Sequence, residues 1–146
     1  MRGPVFAEIS RHERDLLRAS LEAARLPADD IDAPDRRFFN LTDDAGLIGF
    51  IGIEGAGRDR LLRSLVVLPT RRGQGFGKLL VGRAEAVVAG EVDRLHLLTK
   101  GAAPFFRGLD YKDAERAGVP SAIAATEQFT LLCPASAVYL VKDISV

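Results

Sequence analysis

Glycines alternate at Gly73, Gly75 and Gly77, and Arg71, Arg72 and Lys78 stand beside them. That combination suits an anion, because missing Cβ atoms let a ligand approach the main chain and the cationic side chains add attraction. The segment Val67-Leu68-Pro69-Thr70-Arg71-Arg72-Gly73-Gln74-Gly75-Phe76-Gly77-Lys78 runs from a strand-like apolar run into a helix-like one. Free N–H groups and the helix dipole at such a junction draw the same kind of ligand, so a phosphate or pyrophosphate is expected there.

Spacing separates this loop from two other nucleotide loops. A P-loop needs glycine five residues before its Gly-Lys pair and Ser or Thr after it, and here those positions are Arg72 and Leu79. A dinucleotide fingerprint needs glycine three residues after its second glycine, where Lys78 stands, and it opens a short βαβ unit. A plain strand-to-helix turn with solvated arginines is the remaining alternative.

The elements around the loop follow from periodicity. Val5, Ala7 and Ile9 alternate as in a strand. Ser10 and Glu13 have capping-box spacing ahead of a helix over about Arg11 to Arg25, which Pro27 ends. Residues 28–33 are acidic, with one large apolar side chain, and read as a mobile turn or loop. Phe38–Leu41 and Leu47–Ile53 flank an Asp43-Asp44-Ala45-Gly46 turn, and Glu54-Gly55-Ala56-Gly57 leads into Leu61–Leu68, which predicts a three-stranded meander. Phe76, Leu79, Leu80, Ala84, Val87 and Val88 trace a helix face that Gly90 ends, and Leu95–Thr99 reads as a buried strand, giving a parallel crossover. Ala102–Leu109 predicts a brief helix. Ala122, Ala125, Phe129 and Leu132 predict another, opened by Ser121 and ended near Pro134, before a last strand at Ala137–Val141. A meander plus a crossover makes one α+β domain over residues 1–146, an α/β sandwich of helices around a mixed sheet.

Composition narrows the function. The chain is 146 residues long and 47% apolar, enough for one core. Twenty basic and twenty acidic side chains cancel, so no general field gathers nucleic-acid phosphates, and no nucleic-acid partner is expected. The longest apolar run, Leu65–Leu68, falls far short of the roughly 20 residues of a membrane span. Cys133 is the only cysteine and the N-terminus carries no apolar leader, so a reducing, cytoplasmic setting is expected. Two distant histidines and one cysteine lack ligand spacing, and no metal is expected.

Arg72-Gly73-Gln74-Gly75-Phe76-Gly77, preceded by Leu65-Val66-Val67-Leu68-Pro69, resembles the hallmark loop and fourth strand of the GNAT N-acetyltransferase superfamily, and the element order from Val5 to Val141 resembles its fold. Leu62-Arg63-Ser64-Leu65, Phe105–Tyr111, Ala125–Phe129 and Leu132–Ala137 are similar to a subgroup of arsenic-resistance N-acetyltransferases. The resemblance implies a mostly antiparallel sheet of about six or seven strands, splayed between the fourth and fifth. It implies acetyl-CoA as acetyl donor, with the backbone of Leu65, Val66 and Val67 on the pantetheine arm. Arg72, Gly73, Gln74, Gly75, Phe76, Gly77 and Lys78 would hold the pyrophosphate, and a homodimer is a further implication. It places Thr99 where the family often has asparagine, and Phe106 where it often has the tyrosine that protonates the thiolate. Phe106 can pack on coenzyme A but donates no proton, which leaves Tyr111, Tyr139, water or no residue for that step.

Amine acetylation needs a proton acceptor more than a nucleophile. Glu54, at the end of the third strand, is the expected base; the alternative is a solvated turn carboxylate. Arg63, Ser64 and Thr99 are expected on the acceptor side, Arg63 to meet an anionic group or to form a surface ion pair. Cys133 reads as a small apolar residue rather than a nucleophile, and His12 and His96 as structural for want of a matched partner. Residues 27–40 and 112–136 are expected to wall the acceptor pocket. The expected reaction is acetyl transfer to a small amine, with an amino-acid-like arsenic or phosphinate compound as one acceptor. A weak acyl-CoA sensor and a protein or peptide acetyltransferase stay open.

Overall fold

The computed structural model describes residues 3–131 and 137–145. Its strands are β1 (Val5–Glu8), β2 (Arg36–Asp43), β3 (Gly46–Glu54), β4 (Asp59–Val67), β5 (Arg94–Thr99), β6 (Lys112–Asp113) and β7 (Val138–Asp143). Its α-helices are α1 (Arg14–Ala23), α2 (Phe76–Val88), α3 (Ala103–Arg107), α4 (Ser121–Ala124) and α5 (Glu127–Leu131). The strands hydrogen-bond in the order β1-β2-β3-β4-β5-β7-β6. β4 and β5 are parallel, as the crossover through α2 requires, while β1–β2, β5–β7 and β6–β7 are antiparallel. This is the mixed α+β sheet with helices that the order of elements predicts. The parallel ladder pairs Asp59–Leu61 with Arg94–His96.

Packing groups the chain into two compact units, residues 1–53 with 64–87 and residues 54–63 with 88–146. In the first, Ile9, Leu17, Leu21, Ile31, Phe38, Phe50 and Val66 form the core. The helix expected over about Arg11–Arg25 is split: Arg11–Glu13 is a 3-10 turn and α1 follows, with the Ser10 amide donating to Glu13 Oε1 at 3.0 Å. On β1 the packed ring is Phe6, stacked 5.0 Å from Phe39, and of the alternating Val5, Ala7 and Ile9 only Ile9 is buried in the core. The acidic stretch expected to be mobile is anchored. Ile31 is buried in the core, Arg14 donates to the Ile31 carbonyl at 2.7 Å, and Arg36 holds the buried Asp30 at 3.1 Å.

In the second unit, Leu61, Ile123, Phe129 and Tyr139 form a core with Leu98, Val119 and Val141 against it. The single helix expected from Ser121 is two short ones, α4 and α5. Thr126 divides them: its hydroxyl donates to the Ile123 carbonyl at 2.7 Å and accepts from the Phe129 amide at 3.4 Å, so it caps α5 instead of continuing α4. Cys133 and Pro134, read from the sequence above, lie outside the described residues.

Candidate functional site

The loop from β4 to α2 lies wholly in the first unit. Pro69–Arg71 forms a 3-10 turn after β4, and residues 72–75 are exposed. Gly73 and Gly75 adopt φ of 78° and 82°, a left-handed backbone that side chains with a Cβ disfavour. A Cβ added at either would meet nothing within 4 Å, so φ and not crowding calls for glycine. The Leu79 amide donates to the Gly75 carbonyl at 3.2 Å, which makes Gly75 the helix cap. The amides of Phe76, Gly77 and Lys78 therefore precede the first intrahelical bond and have no acceptor within the helix.

The nearby cations are not equivalent. Arg71 is committed to Asp43 and lies over the Phe76 ring at 5.4 Å. Its hydrogen bond, opposed by burial, holds the Asp43 carboxyl below the ordinary 3.8. Arg72 donates from Nε to the Val67 carbonyl at 3.0 Å and ties the loop to the end of β4. Lys78 is exposed and has no ion pair among the described residues. An exposed loop with two left-handed glycines, helix amides without intrahelical acceptors and a lysine without an ion pair among the described residues suits an anion.

Behind the loop, β3 and β4 approach closely. A Cβ on Gly49 would stand 2.2 Å from the Val66 carbonyl oxygen and 3.1 Å from Val67 Cα, so glycine is what lets β4 lie there. Leu65 and Val67 are half-buried and Val66 is buried. Within β4, Ser64 has φ of 60°, a left-handed residue that breaks the pleat one position before Leu65.

In the second unit Arg63 is fully buried and donates to Glu54 Oε1 at 2.8 Å, with Glu54 itself 5% exposed. Glu54 is thus neither a solvated turn carboxylate nor an unoccupied one. Thr99 Oγ1 accepts from the Ala102 amide at 3.0 Å, ahead of α3. Phe106 is buried edge-on against Tyr111 at 5.5 Å.

Sequence reasoning found no partner for His96, and the fold supplies two. His96 Nε2 lies 2.7 Å from Asp59 Oδ1 and its Nδ1 lies 2.7 Å from the Tyr139 hydroxyl. A carboxylate only accepts, so Nε2 carries the hydrogen; in the neutral ring Nδ1 then accepts from the Tyr139 hydroxyl. Asp59 also accepts from Arg94 Nε at 2.8 Å. Burial raises the Asp59 pKa, but the hydrogen bonds from Arg94 and His96 outweigh it and hold the carboxyl below 3.8. Burial, with the Asp59 charge second, pushes the Tyr139 phenol above 10.0, so it is protonated at neutral pH. His96 and Tyr139 line a cavity of about 400 Å³ together with Arg94, Glu115, Pro120 and Val141. The signal for this cluster was a polar residue inside an apolar strand; its partners stand 37 and 43 positions away.

No group of three potential metal ligands occurs among the described residues, and no helix there is long and apolar enough to cross a membrane. Comparison with known proteins agrees with the fold. Residues 34–113, more than half of the chain, match the model of the acetyltransferase (GNAT) domain. An uncharacterized N-acetyltransferase of Chlorobaculum tepidum is 41% identical over 63 residues, 42% of this chain and 40% of that one. The match thus spans about two fifths of that relative. Among solved structures, N-acetylglutamate synthase of Neisseria gonorrhoeae, complexed with coenzyme A and L-arginine, has a TM-score of 0.79 at 14% identity over 99% of this chain and 34% of that one. A GNAT-family acetyltransferase of Staphylococcus aureus Mu50 has a TM-score of 0.76 at 14% identity, covering 98% of this chain and 100% of that one. An aminoglycoside 6'-N-acetyltransferase complexed with coenzyme A has a TM-score of 0.72 at 19% identity over 97% and 98%. With its glycine loop, mixed sheet and matching domain model, the chain belongs to the GNAT acetyltransferase family.

Proposed function

We propose that the chain is an acetyl-CoA-dependent N-acetyltransferase that acetylates the amine of a small molecule. The observation that carries the reading is the loop geometry: left-handed Gly73 and Gly75 lead into a 13-residue helix whose first amides are free of intrahelical acceptors. Those amides and Lys78 would hold the pyrophosphate, Arg72 would keep the loop against Val67, and the acetyl thioester supplies an electrophilic carbonyl and a thiol leaving group. Membership of the family and relatives named as N-acetyltransferases support amine acylation. The arsenic- or phosphinate-containing acceptor rests on the sequence likeness alone. The single cysteine supports a reducing, cytoplasmic setting, and light scattering decides between monomer and homodimer.

Calorimetric titration with acetyl-CoA, coenzyme A and ATP tests the reading, with Gly75→Glu as the variant. It places a Cβ at φ 82° and a negative charge beside the pyrophosphate. Micromolar binding of both coenzyme A forms, weakened at least 100-fold in a folded variant, supports it. A folded parent protein that binds neither coenzyme A form contradicts it. Binding without thiol release across an amine panel would leave an acyl-CoA sensor as the better description.

A further inference from the structure

Arg71 bridges the two ends of the glycine loop. It closes the 3-10 turn that follows β4, and its guanidinium lies over the ring of Phe76, the first residue of α2, at 5.4 Å. Both left-handed glycines stand between those two residues. Glycine loses more conformational freedom on ordering than any other residue, so Gly73 and Gly75 make this stretch costly to hold in one shape. Residues 72–75 are also exposed, and burial does little to hold them.

Asp43 makes the bridge firm. It ends β2, and its Oδ1 accepts from the Ala45 amide at 3.0 Å, which fixes the carboxylate in the β2–β3 turn, while Oδ2 accepts from Arg71 Nη2. The hydrogen bond from Arg71 is the largest influence on the Asp43 carboxyl and keeps it ionised at neutral pH. Asp43, Arg71, Phe76 and the glycines all belong to the first unit. Two roles suit an arginine so placed, and they predict opposite outcomes. As a cation for the ligand it would be restrained by Asp43, and freeing it would tighten the hold on an anion. As a staple it would need Asp43, and freeing it would loosen the loop. The geometry favours the staple, because the guanidinium is already engaged by a carboxylate and an aromatic ring.

We propose that Asp43 and Arg71 are positioning residues for the pyrophosphate of coenzyme A: the pair staples the start of α2 to the β2–β3 turn and holds the amides of Phe76, Gly77 and Lys78 in place before the ligand arrives. This rests on the acetyltransferase reading above. Neither side chain touches the ligand. Their effect is preorganisation, since a loop that is already fixed loses little further freedom on binding. Removing the staple leaves every donor present and raises only the cost of ordering them, so the loss is smaller than that from Gly75→Glu.

Calorimetry of the full chain with coenzyme A compares the parent with Asp43→Asn, Arg71→Met and the double variant. Each single variant weakens binding about tenfold, and the double variant binds no more weakly than Arg71→Met, because the two residues act as one pair. The thermal midpoint at neutral pH changes little, since the pair is partly open to solvent. Backbone 15N order parameters of Gly73 and Gly75 in the ligand-free protein fall in each variant, a readout that loss of an unrelated ion pair would not move. Unchanged or tighter coenzyme A binding in Asp43→Asn, additive losses in the double variant, or parent order parameters in a folded Asp43→Asn protein overturns the proposal. Where Arg71→Met does not fold, Asp43→Asn decides alone. A parent that binds no coenzyme A removes the acetyltransferase reading instead, and the order parameters then decide whether the pair holds the loop.

Discussion

The glycine loop of the first unit and the Asp59–His96–Tyr139 cluster of the second are built by opposite means. The loop is built from main chain: its donors are amides, and its side chains are chiefly missing at Gly73 and Gly75. The cluster is built from side chains, each buried or half-buried and each fixed by a neighbour within 2.8 Å. A main-chain site is damaged by adding atoms, and a side-chain site by removing them.

The largest expected effect lies in the second unit. Arg63→Ala leaves the Glu54 carboxylate buried without its cation and costs about 3–5 kcal/mol. Denaturant unfolding measures it, and a loss under about 1 kcal/mol would show that this region does not depend on its side chains as the comparison requires. In the first unit the counterpart is an addition. Gly49→Ala forces a Cβ against the Val66 carbonyl and destabilises the chain by about 1–3 kcal/mol, read as a lower thermal midpoint. If instead it is neutral, β4 is not held by close main-chain approach.

The smallest effects concern acid. The Asp43 and Asp59 carboxyls both lie below 3.8 when folded, so the folded chain binds these protons less tightly than the unfolded one. Their contribution is complete above the unfolded value and disappears as pH falls through the depressed folded ones. Asp43→Asn and Asp59→Asn should each flatten the fall of the thermal midpoint below about pH 4. Only Asp59→Asn should also lower the midpoint markedly near neutral pH, because an amide oxygen replaces a carboxylate that accepts from both Arg94 and the buried His96. An equal loss near neutral pH in Asp43→Asn would erase the distinction between the two regions.

That difference also explains what could be read from sequence. Positive φ selects glycine, so Gly73 and Gly75 announce the loop by identity and spacing, and strand-to-helix order locates it without knowledge of any contact. The meander and the crossover were equally plain, because Asp43–Gly46 and Gly55–Gly57 are local turn signals. The break between α4 and α5 was not, since apolar periodicity runs through it and the decision falls to one hydroxyl on Thr126. Nor was the cluster. Asp59, His96 and Tyr139 come from three strands, and they meet only once β5 is laid between β4 and β7. His96 looked unpartnered because its partners are made by pairing, not by proximity in the chain.

Asp59 has a consequence for folding beyond its place in the cluster. The parallel pairing of β4 with β5 sets Asp59 opposite Arg94 and Leu61 opposite His96 over a very short ladder, with little else in that ladder to define alignment. A slip of one residue would turn Asp59 to the opposite side of the strand and leave the His96 Nε2–H without its acceptor, at a cost of about 1–3 kcal/mol. The carboxylate therefore works as a key for strand alignment. Misaligned intermediates are penalised at the moment β5 docks, and a chain lacking this carboxylate should refold with more heterogeneous kinetics even where its final structure is the same.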